Sequence, residues 1–281
     1  MLYSNLQSGI VPVMKKTDCQ KTYLLTFAFN GTEYAGWQYQ PGMKTVQETM
    51  ETTLRHLYHD PAIVLTGCGR TDAGVHAVGM TASFETVHQE EPEELKRLLN
   101  LRLPHDIRII AVQIFPSGFK ANAVTGKVYV YAVNIGYDNL FLKKACWSWP
   151  EITPENLADV RKAIRYLEGT HIFRNFTGRK DKTSGKPRTI YRAEMIEYGP
   201  VICFYFSGSG FLHKMIRRIV GALHCIAAGE LTVDEFAKAV HDPDVSIGDA
   251  VAPARGLYLK RVFYSQDEWQ QDRLEHPPFY Q

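Results

Sequence analysis

The sequence predicts an α+β protein built from two halves, each with the element order β-α-β-β-α-β. Short apolar runs of strand length alternate along the chain with segments whose apolar residues recur at helical spacing. Turn residues separate these segments, and the order starts again after Pro116. With 281 residues, 45% apolar and 22% charged, the chain has the composition of a soluble globular protein of one large or two ordinary domains.

The first half is predicted to span residues 21–116, after a polar and aperiodic leader at residues 1–20. Its first strand is Thr22–Phe29, an apolar run that ends at the turn pair Asn30-Gly31. Val46–Tyr58 carries one apolar face at helical spacing, which predicts a helix. The remaining predicted elements of this half are the strands Ala62–Leu65, Val78–Phe84 and Ile107–Ile114 and the helix Pro92–Leu103.

The second half is predicted to span residues 117–265, followed by a tail at residues 266–281. Lys127–Ile135 alternates in the manner of a half-buried strand. Thr153 precedes a helix whose first residue is proline, a common helix start. The remaining predicted elements are the helices Pro154–Leu167, Phe211–Ala228 and Thr232–Val240 and the strands Ile190–Tyr198, Val201–Phe206 and Leu257–Phe263.

The repeated order β-α-β-β-α-β is that of the ferredoxin-like split motif. Each such subdomain forms a mainly antiparallel sheet with its helices on one face. Two of these sheets side by side would place a cleft where the halves meet.

Cysteine and histidine usage argues against disulfides and metal sites. The five cysteines are widely spaced without a CxxC pair, so buried free thiols in a reducing compartment are expected. His56 and His59 lie one helical turn apart, but no third ligand is near them in the sequence. No apolar run reaches the ~20 residues of a membrane span, and no signal peptide is visible. We therefore expect a cytoplasmic protein without metal or membrane contact.

The formal charge of +2 conceals a strongly basic segment. Residues 174–192 contain seven cations and one anion, and the helix predicted to start at Phe211 adds further cations. A basic loop rich in Gly, Ser and Thr suits a nucleic-acid backbone, although a solvated loop fits its charge equally well. The aromatic residues Phe173, Phe176 and Tyr191 among these cations favour RNA, because bases stack on rings.

Thr66–Ala77, with the sequence TGCGRTDAGVHA, is the most unusual stretch of the chain. Its glycines bracket Arg70 and Asp72 between two predicted strands, where they permit tight turns and close approach of a ligand. The pattern is neither a dinucleotide-binding loop nor a P-loop. From the loop alone, Asp72 is either a turn aspartate or a catalytic carboxylate beside Arg70.

Gly69–Ala77 resembles the signature of the TruA family of tRNA pseudouridine synthases, in which the aspartate is the essential catalytic carboxylate. Six further segments resemble motifs of the same family in the same order along the chain. These segments are Tyr34–Gln38, Val46–Glu48, Lys127–Tyr131, Gly169–Phe176 with Arg188-Thr189, Phe211–Gly221 and Ala252–Leu259.

The resemblance implies isomerisation of uridine to pseudouridine in the anticodon arm of tRNA, at tRNA positions 38, 39 or 40. It also implies a reaction without cofactor or metal, a homodimer with a basic RNA-binding cleft, and two ferredoxin-like subdomains.

The resemblance also implies roles for individual residues. Asp72 would either attack the sugar or remove its 2′ proton, and Arg217 would pair with Asp72 and keep it ionised. Arg70 would support flipping of the target base or hold its phosphate. Tyr129 would stack on the uracil and is the candidate for a role in removing the C5 proton, while Leu257 would pack against the uracil face. The residues expected to contact RNA are Arg179, Lys180, Lys182, Lys186, Arg188 and Lys214.

Three positions depart from the pattern of the family. Tyr39 and Asn122 stand where arginine is usual, and Ile172 stands where aspartate is usual. These changes leave the target uridines open. Two other functions therefore stay under consideration, an RNA-binding protein without isomerase activity and the same isomerase acting on another RNA.

Overall fold

The computed structural model describes residues 20–178, 183–265 and 268–280. Within these ranges the chain is a mixed α/β fold with one large sheet and few helices. The predicted leader lies outside the described residues apart from Gln20, and so does part of the basic loop.

The first half contains four strands and two helices in the described ranges. The elements are β1 (Lys21–Phe29), α1 (Val46–Tyr58), β2 (Thr66–Gly67), β3 (His76–Thr86), α2 (Pro92–Asn100) and β4 (Ile107–Phe115). The side chain of Thr45 caps α1 by accepting a hydrogen bond from the backbone N–H of Glu48. Helix α1 ends at His59, whose left-handed backbone (φ 51°) stops the helical hydrogen bonding.

The second half contains six strands and three helices in the described ranges. The elements are β5 (Gly126–Asn134), β6 (Trp147–Ser148), α3 (Leu157–Ala163), β7 (Gly169–His171), β8 (Arg188–Tyr198), β9 (Val201–Gly208), α4 (Met215–Ala227), α5 (Val233–His241) and β10 (Leu257–Phe263). Thr232 and Glu235 form a reciprocal capping box at the start of α5.

All of these strands join one continuous sheet with the main order β4-β1-β3-β10-β5-β9-β8-β7, where the sequence predicts two sheets side by side. The halves meet at a parallel pair between β3 and β10, with Tyr258 opposite His76 and Leu259 opposite Ala77. This pairing satisfies backbone groups that would otherwise lie on two unpaired sheet edges. Strand β2 pairs with β3, and β6 pairs with β5.

Several predicted boundaries are wrong for identifiable reasons. The predicted strand Ala62–Leu65 is an irregular segment, and the strand is the next residue pair, Thr66–Gly67. The predicted helix Phe211–Ala228 begins only at Met215, because Lys214 has a left-handed backbone (φ 59°). Residues 211–214 are therefore a loop.

The helices α2 and α3 are shorter than predicted. Helix α2 ends at Asn100 rather than Leu103. The predicted helix Pro154–Leu167 is α-helical only over Leu157–Ala163, with a turn of 3-10 helix on each side.

The core fills both faces of the sheet. Strand β5 shows the alternation, because Tyr129 and Tyr131 join the main apolar cluster while Val128 and Val130 join a second cluster on the opposite face. Aromatic and aliphatic side chains of the tail at 268–280 pack against that second cluster. Of the four described cysteines, all free, three are buried. Among the described residues, no helix combines the length and apolar character that a bilayer crossing requires.

Candidate active site

The loop between β2 and β3 carries Asp72 and rests on the segment around Trp37. The backbone N–H of Trp37 donates to the carbonyl oxygen of Thr71 at 3.3 Å. Gly36 has a left-handed backbone (φ 94°), and a Cβ there would lie 2.4 Å from the same carbonyl oxygen. The tight turn at Gly36 therefore lets the two segments approach closely, which holds the Asp72 loop in place.

Asp72 and Arg217 form an ion pair although 145 residues separate them along the chain. The Arg217 Nη1 donates to Asp72 Oδ2 at 2.7 Å, and its Nε donates to the carbonyl oxygen of Ala252 at 2.7 Å. The guanidinium is therefore fixed by two partners and orients the carboxylate in turn. The second carboxylate oxygen, Oδ1, lies 3.5 Å from Nε2 of His213. The side chain of Asp72 keeps 24% of its surface exposed, so a ligand can reach it.

Asp72 lies in the wall of a cavity of about 690 Å³. The loop before β3, the start of strand β5, the start of β10 and the loop before α4 meet around this space. The residues that line it are Arg70, Thr71, Asp72, Val75, Lys127, Tyr129, Gly178, Phe211, Leu212, His213, Lys214, Met215, Ile216 and Leu257. Four other predicted site residues thus share one cavity with Asp72: Arg70, Tyr129, Lys214 and Leu257.

Tyr129 and Leu257 belong to the apolar part of the cavity wall. Both are largely buried, and the ring of Phe211 meets the Tyr129 ring edge-on at 5.2 Å between centroids. Burial raises the pKa of the Tyr129 phenol well above its usual range, and nearby Cys68 and Asp72 raise it further. The phenol is therefore neutral at physiological pH. A neutral ring with an apolar neighbour is a surface on which a base can stack.

The predicted RNA-contacting cations divide into three groups. Arg70 and Lys214 are exposed and line the cavity. Lys186 and Arg188 lie outside the cavity lining, and Arg188 donates to the carbonyl oxygen of Lys186 at 3.2 Å. The other predicted contacts, Arg179, Lys180 and Lys182, lie outside the described residues.

Sequence reasoning missed two basic side chains of the cavity, Lys127 and His213. Lys127 is the first residue of a segment already matched to the family, and strand alternation with Tyr129 could have identified it. His213 also lies in a segment matched to the family, Phe211–Gly221, but the helix predicted there gave no indication that its side chain would line a cavity. Across the described ranges, no cluster of three or more His, Cys, Asp or Glu side chains is arranged to hold a metal ion.

Comparison with known proteins yields consistent matches. A family sequence model described as tRNA pseudouridine synthase matches residues 26–121 and 163–265. The tRNA pseudouridine synthase A of Geobacillus sp. (strain WCH70) is 37% identical over 241 residues, which cover 85% of this chain and 96% of that protein. The protein of the same name from Exiguobacterium sibiricum is 36% identical and covers 88% of this chain and 98% of its own length.

The similarity to solved structures is weaker. A structure titled as the archaeal box H/ACA sRNP Nop10-Cbf5 complex covers 72% of this chain and 43% of its own, at 12% identity and a TM-score of 0.33. A likeness of this size has no bearing on the assignment of the site.

Proposed function

The chain belongs to the tRNA pseudouridine synthase family, which isomerises uridine in tRNA, and from this we propose that it acts on the anticodon arm with Asp72 as its catalytic carboxylate. The observation that carries the proposal is that Asp72, oriented by its ion pair with Arg217, lies in the wall of one large cavity. The expected target uridines are tRNA positions 38, 39 and 40.

The geometry of the pair suits a carboxylate that reacts with the ribose. Arg217 donates a charge-assisted hydrogen bond to Oδ2 of Asp72 and thereby fixes the orientation of the carboxylate. Oδ1, which lies 3.5 Å from Nε2 of the exposed His213, would be the oxygen that reacts with the substrate. Two reactions are open to it, attack on C1′ of the ribose or removal of the 2′ proton, and each breaks the N-glycosidic bond. The freed uracil then turns and forms a C–C bond from C5 to C1′.

The cavity is large enough for a single nucleotide that has left the base stack. Flipping a paired base costs a few kcal/mol, which contacts in the cavity must offset. We assign stacking on the uracil to Tyr129 and packing against it to Leu257. The exposed guanidinium of Arg70 would fill the vacated stack or bind the adjacent phosphate. Because its phenol is neutral, Tyr129 would serve as a stacking and hydrogen-bonding group rather than as an ionised base.

We also propose that residues 21–116 and 117–265 are two ferredoxin-like subdomains. The strand orders within the halves, β4-β1-β3 with β2 on β3 and β10-β5-β9-β8, support this. A homodimer with a basic cleft and a cytoplasmic location follow from the family resemblance and from tRNA as substrate. The cations Arg179, Lys180, Lys182, Lys186, Arg188 and Lys214 would contact the RNA backbone.

Tritium release from tRNA labelled at uridine C5 tests the catalytic assignment, because forming the new C–C bond expels that hydrogen. Release by the wild-type protein and none by Asp72→Asn is expected. If neither protein releases tritium and both bind tRNA equally, the chain is an RNA-binding protein and the proposal is wrong.

Pseudouridine mapping in tRNA from cells that lack the gene tests the target. Loss of pseudouridine at positions 38, 39 and 40 is expected. An unchanged anticodon arm, with pseudouridine lost from another RNA, would assign the same chemistry to a different substrate.

A further inference from the structure

Lys127 belongs to the same wall of the cavity as Tyr129. The two residues are two positions apart on strand β5, so their side chains leave the sheet on the same face. Both line the cavity with Asp72, and Lys127 is half-buried. The ammonium is therefore placed on the side of the cavity where the base would lie, deeper than the exposed Arg70 and Lys214.

The absence of a side chain at Gly69 makes room for this ammonium. A Cβ at Gly69 would lie 2.3 Å from Nζ of Lys127, and the next atom it would meet is Cε of the same lysine at 3.6 Å. The backbone of Gly69 is outside the left-handed region. A side chain at Gly69, three residues before Asp72, would therefore have to displace the Lys127 amine from its present position.

Lys127 has no anionic partner among the described residues. No carboxylate of those residues lies within ion-pair distance of its nitrogen, whereas Arg217, Arg218 and Lys260 each have one. Asp72, the acid that shares the cavity, is already paired with Arg217. A partly desolvated and unpaired cation is costly unless an anion comes to it. The ammonium of Lys127 is therefore available to interact with a negatively charged group of a ligand in the cavity.

We propose that Lys127 is a catalytic residue that stabilises the uracil anion, an inference that rests on the proposed function. As the C1′–N1 bond breaks, its electron pair leaves with N1, and the negative charge spreads over N1, O2 and O4 of the uracil. The Lys127 ammonium donates a hydrogen bond to a carbonyl oxygen of this anion and keeps its proton. When C5 bonds to C1′, the C5 proton is lost, N1 gains a proton, and the charge that faced Lys127 disappears.

Removal of the ammonium should slow bond cleavage and leave tRNA affinity nearly unchanged. For Lys127→Met we expect a single-turnover rate about 100-fold lower, typical of losing one donor to a developing charge, with the dissociation constant of tRNA within about threefold. Lys127→Arg should recover part of the rate. Lys162→Met, an exposed lysine of α3, is the matched control and should behave as the wild type.

Substrate containing 5-fluorouridine separates charge stabilisation from a phosphate contact. Fluorine stabilises the uracil anion, so a cation that assists its departure matters less. The penalty for Lys127→Met, measured as consumption of the target nucleotide, should shrink about tenfold with the fluorinated tRNA. An equal penalty for both substrates, or a loss confined to affinity and its salt dependence, would assign Lys127 to phosphate and overturn the proposal.

Gly69→Ala provides a second variant that keeps the lysine but displaces its amine. We expect it to reproduce the slow cleavage and retained affinity of Lys127→Met. If wild-type protein releases tritium and both variants match its rate, the role of Lys127 alone is wrong. Absence of release from the wild type would refute the proposed function instead.

Discussion

Two aspartates on opposite faces of the sheet are each held by a cation, yet they are held differently. Asp272, in the tail that covers the second apolar cluster, is only 3% exposed. Lys260 Nζ lies 2.8 Å from both of its carboxylate oxygens, and the Tyr205 hydroxyl donates to Oδ2 at 2.8 Å. Asp72 keeps 24% of its side-chain surface and one firm partner, Arg217 at 2.7 Å.

The difference separates a carboxylate that stabilises the fold from one that is available for chemistry. Every acceptor of Asp272 is satisfied inside the protein, so its interactions fasten the tail to β9 and β10. Asp72 has an oriented carboxylate in a cavity wall, and the neighbour of its second oxygen, Nε2 of the exposed His213, is 3.5 Å away. Both aspartates pair with a cation. The candidate catalytic one differs because its carboxylate makes fewer close hydrogen bonds within the protein and lies beside a cavity.

The largest expected effect is the loss of activity in Asp72→Asn. The variant keeps the size of the side chain but cannot attack C1′ or accept the 2′ proton as a carboxylate does. We expect tritium release to fall by at least about 10⁴-fold, as for other essential catalytic groups. Urea unfolding of the same variant should show a change below about 1 kcal/mol, since the residue is partly exposed. A large loss of stability would show that Asp72, like Asp272, serves to stabilise the fold.

Asp272→Ala should show the opposite pattern. Removing this carboxylate leaves the largely buried ammonium of Lys260 without its partner, and breaking a buried pair costs about 3–5 kcal/mol. Urea unfolding measures this loss. Tritium release per folded molecule should stay at the wild-type level, and a reduced rate in fully folded protein would contradict the comparison.

Arg217→Lys tests whether the guanidinium of Arg217 is needed to orient the carboxylate of Asp72. Lysine retains the charge but cannot bind Asp72 and the carbonyl of Ala252 at once in the geometry of the guanidinium. We expect kcat to fall about 10²-fold, with tRNA affinity changed little, because the carboxylate loses its orientation. Steady-state kinetics provide the measurement. A rise in KM alone would show that Arg217 binds RNA instead.

His76 tests whether a polar residue with all its hydrogen-bonding groups satisfied is structural even when it lies next to the candidate active site. Its Nδ1 accepts from the Gly31 N–H at 3.2 Å, and its Nε2 lies 3.1 and 3.2 Å from the carbonyl oxygens of Lys144 and Arg255. Burial lowers the pKa of the imidazole, so the folded state holds it neutral. Below the unfolded pKa of about 6.5 the unfolded chain binds the proton first, and stability falls by about 1.4 kcal/mol per pH unit until the folded pKa is reached.

Urea unfolding at pH 7.5, 6.5 and 5.5 measures that dependence. His76→Gln should flatten it relative to the wild type. His224, whose pKa burial also lowers, is present in both proteins and cancels in the difference. Equal slopes for the two proteins would show that His76 is not the group responsible.

Much of the fold was predictable from the sequence because alternation and helical spacing are local. Strand β5 and helix α1 are confirmed on that basis, with Val46–Tyr58 matching the predicted helix at both ends. The start of α4 was not predictable, since the left-handed backbone occurs at Lys214, where no glycine or asparagine marks it in the sequence. The β3–β10 junction consists of only two residue pairs, too short to leave a pattern in the sequence.

The residues of the candidate site to which family-like sequence motifs assign a role were predicted, and the others were not. Asp72 and Arg217 came from family resemblance, because no local rule relates residues 145 positions apart. Alternation along β5 could place Lys127 beside Tyr129, but the space next to Gly69 that holds its amine is a property of two segments in contact and was not predictable. No sequence pattern pointed to Asp272, since the three side chains that contact its carboxylate lie on β9 and β10.

Strand β10 is synthesised after every other strand of the described sheet, yet it lies between β3 and β5 in the middle of that sheet. Until it emerges from the ribosome, the nascent chain has two open edges that other strands could pair with. Leu257, the first residue of β10, also closes the cavity beside Asp72. Completion of the sheet and completion of the wall of the candidate active-site cavity are therefore one event.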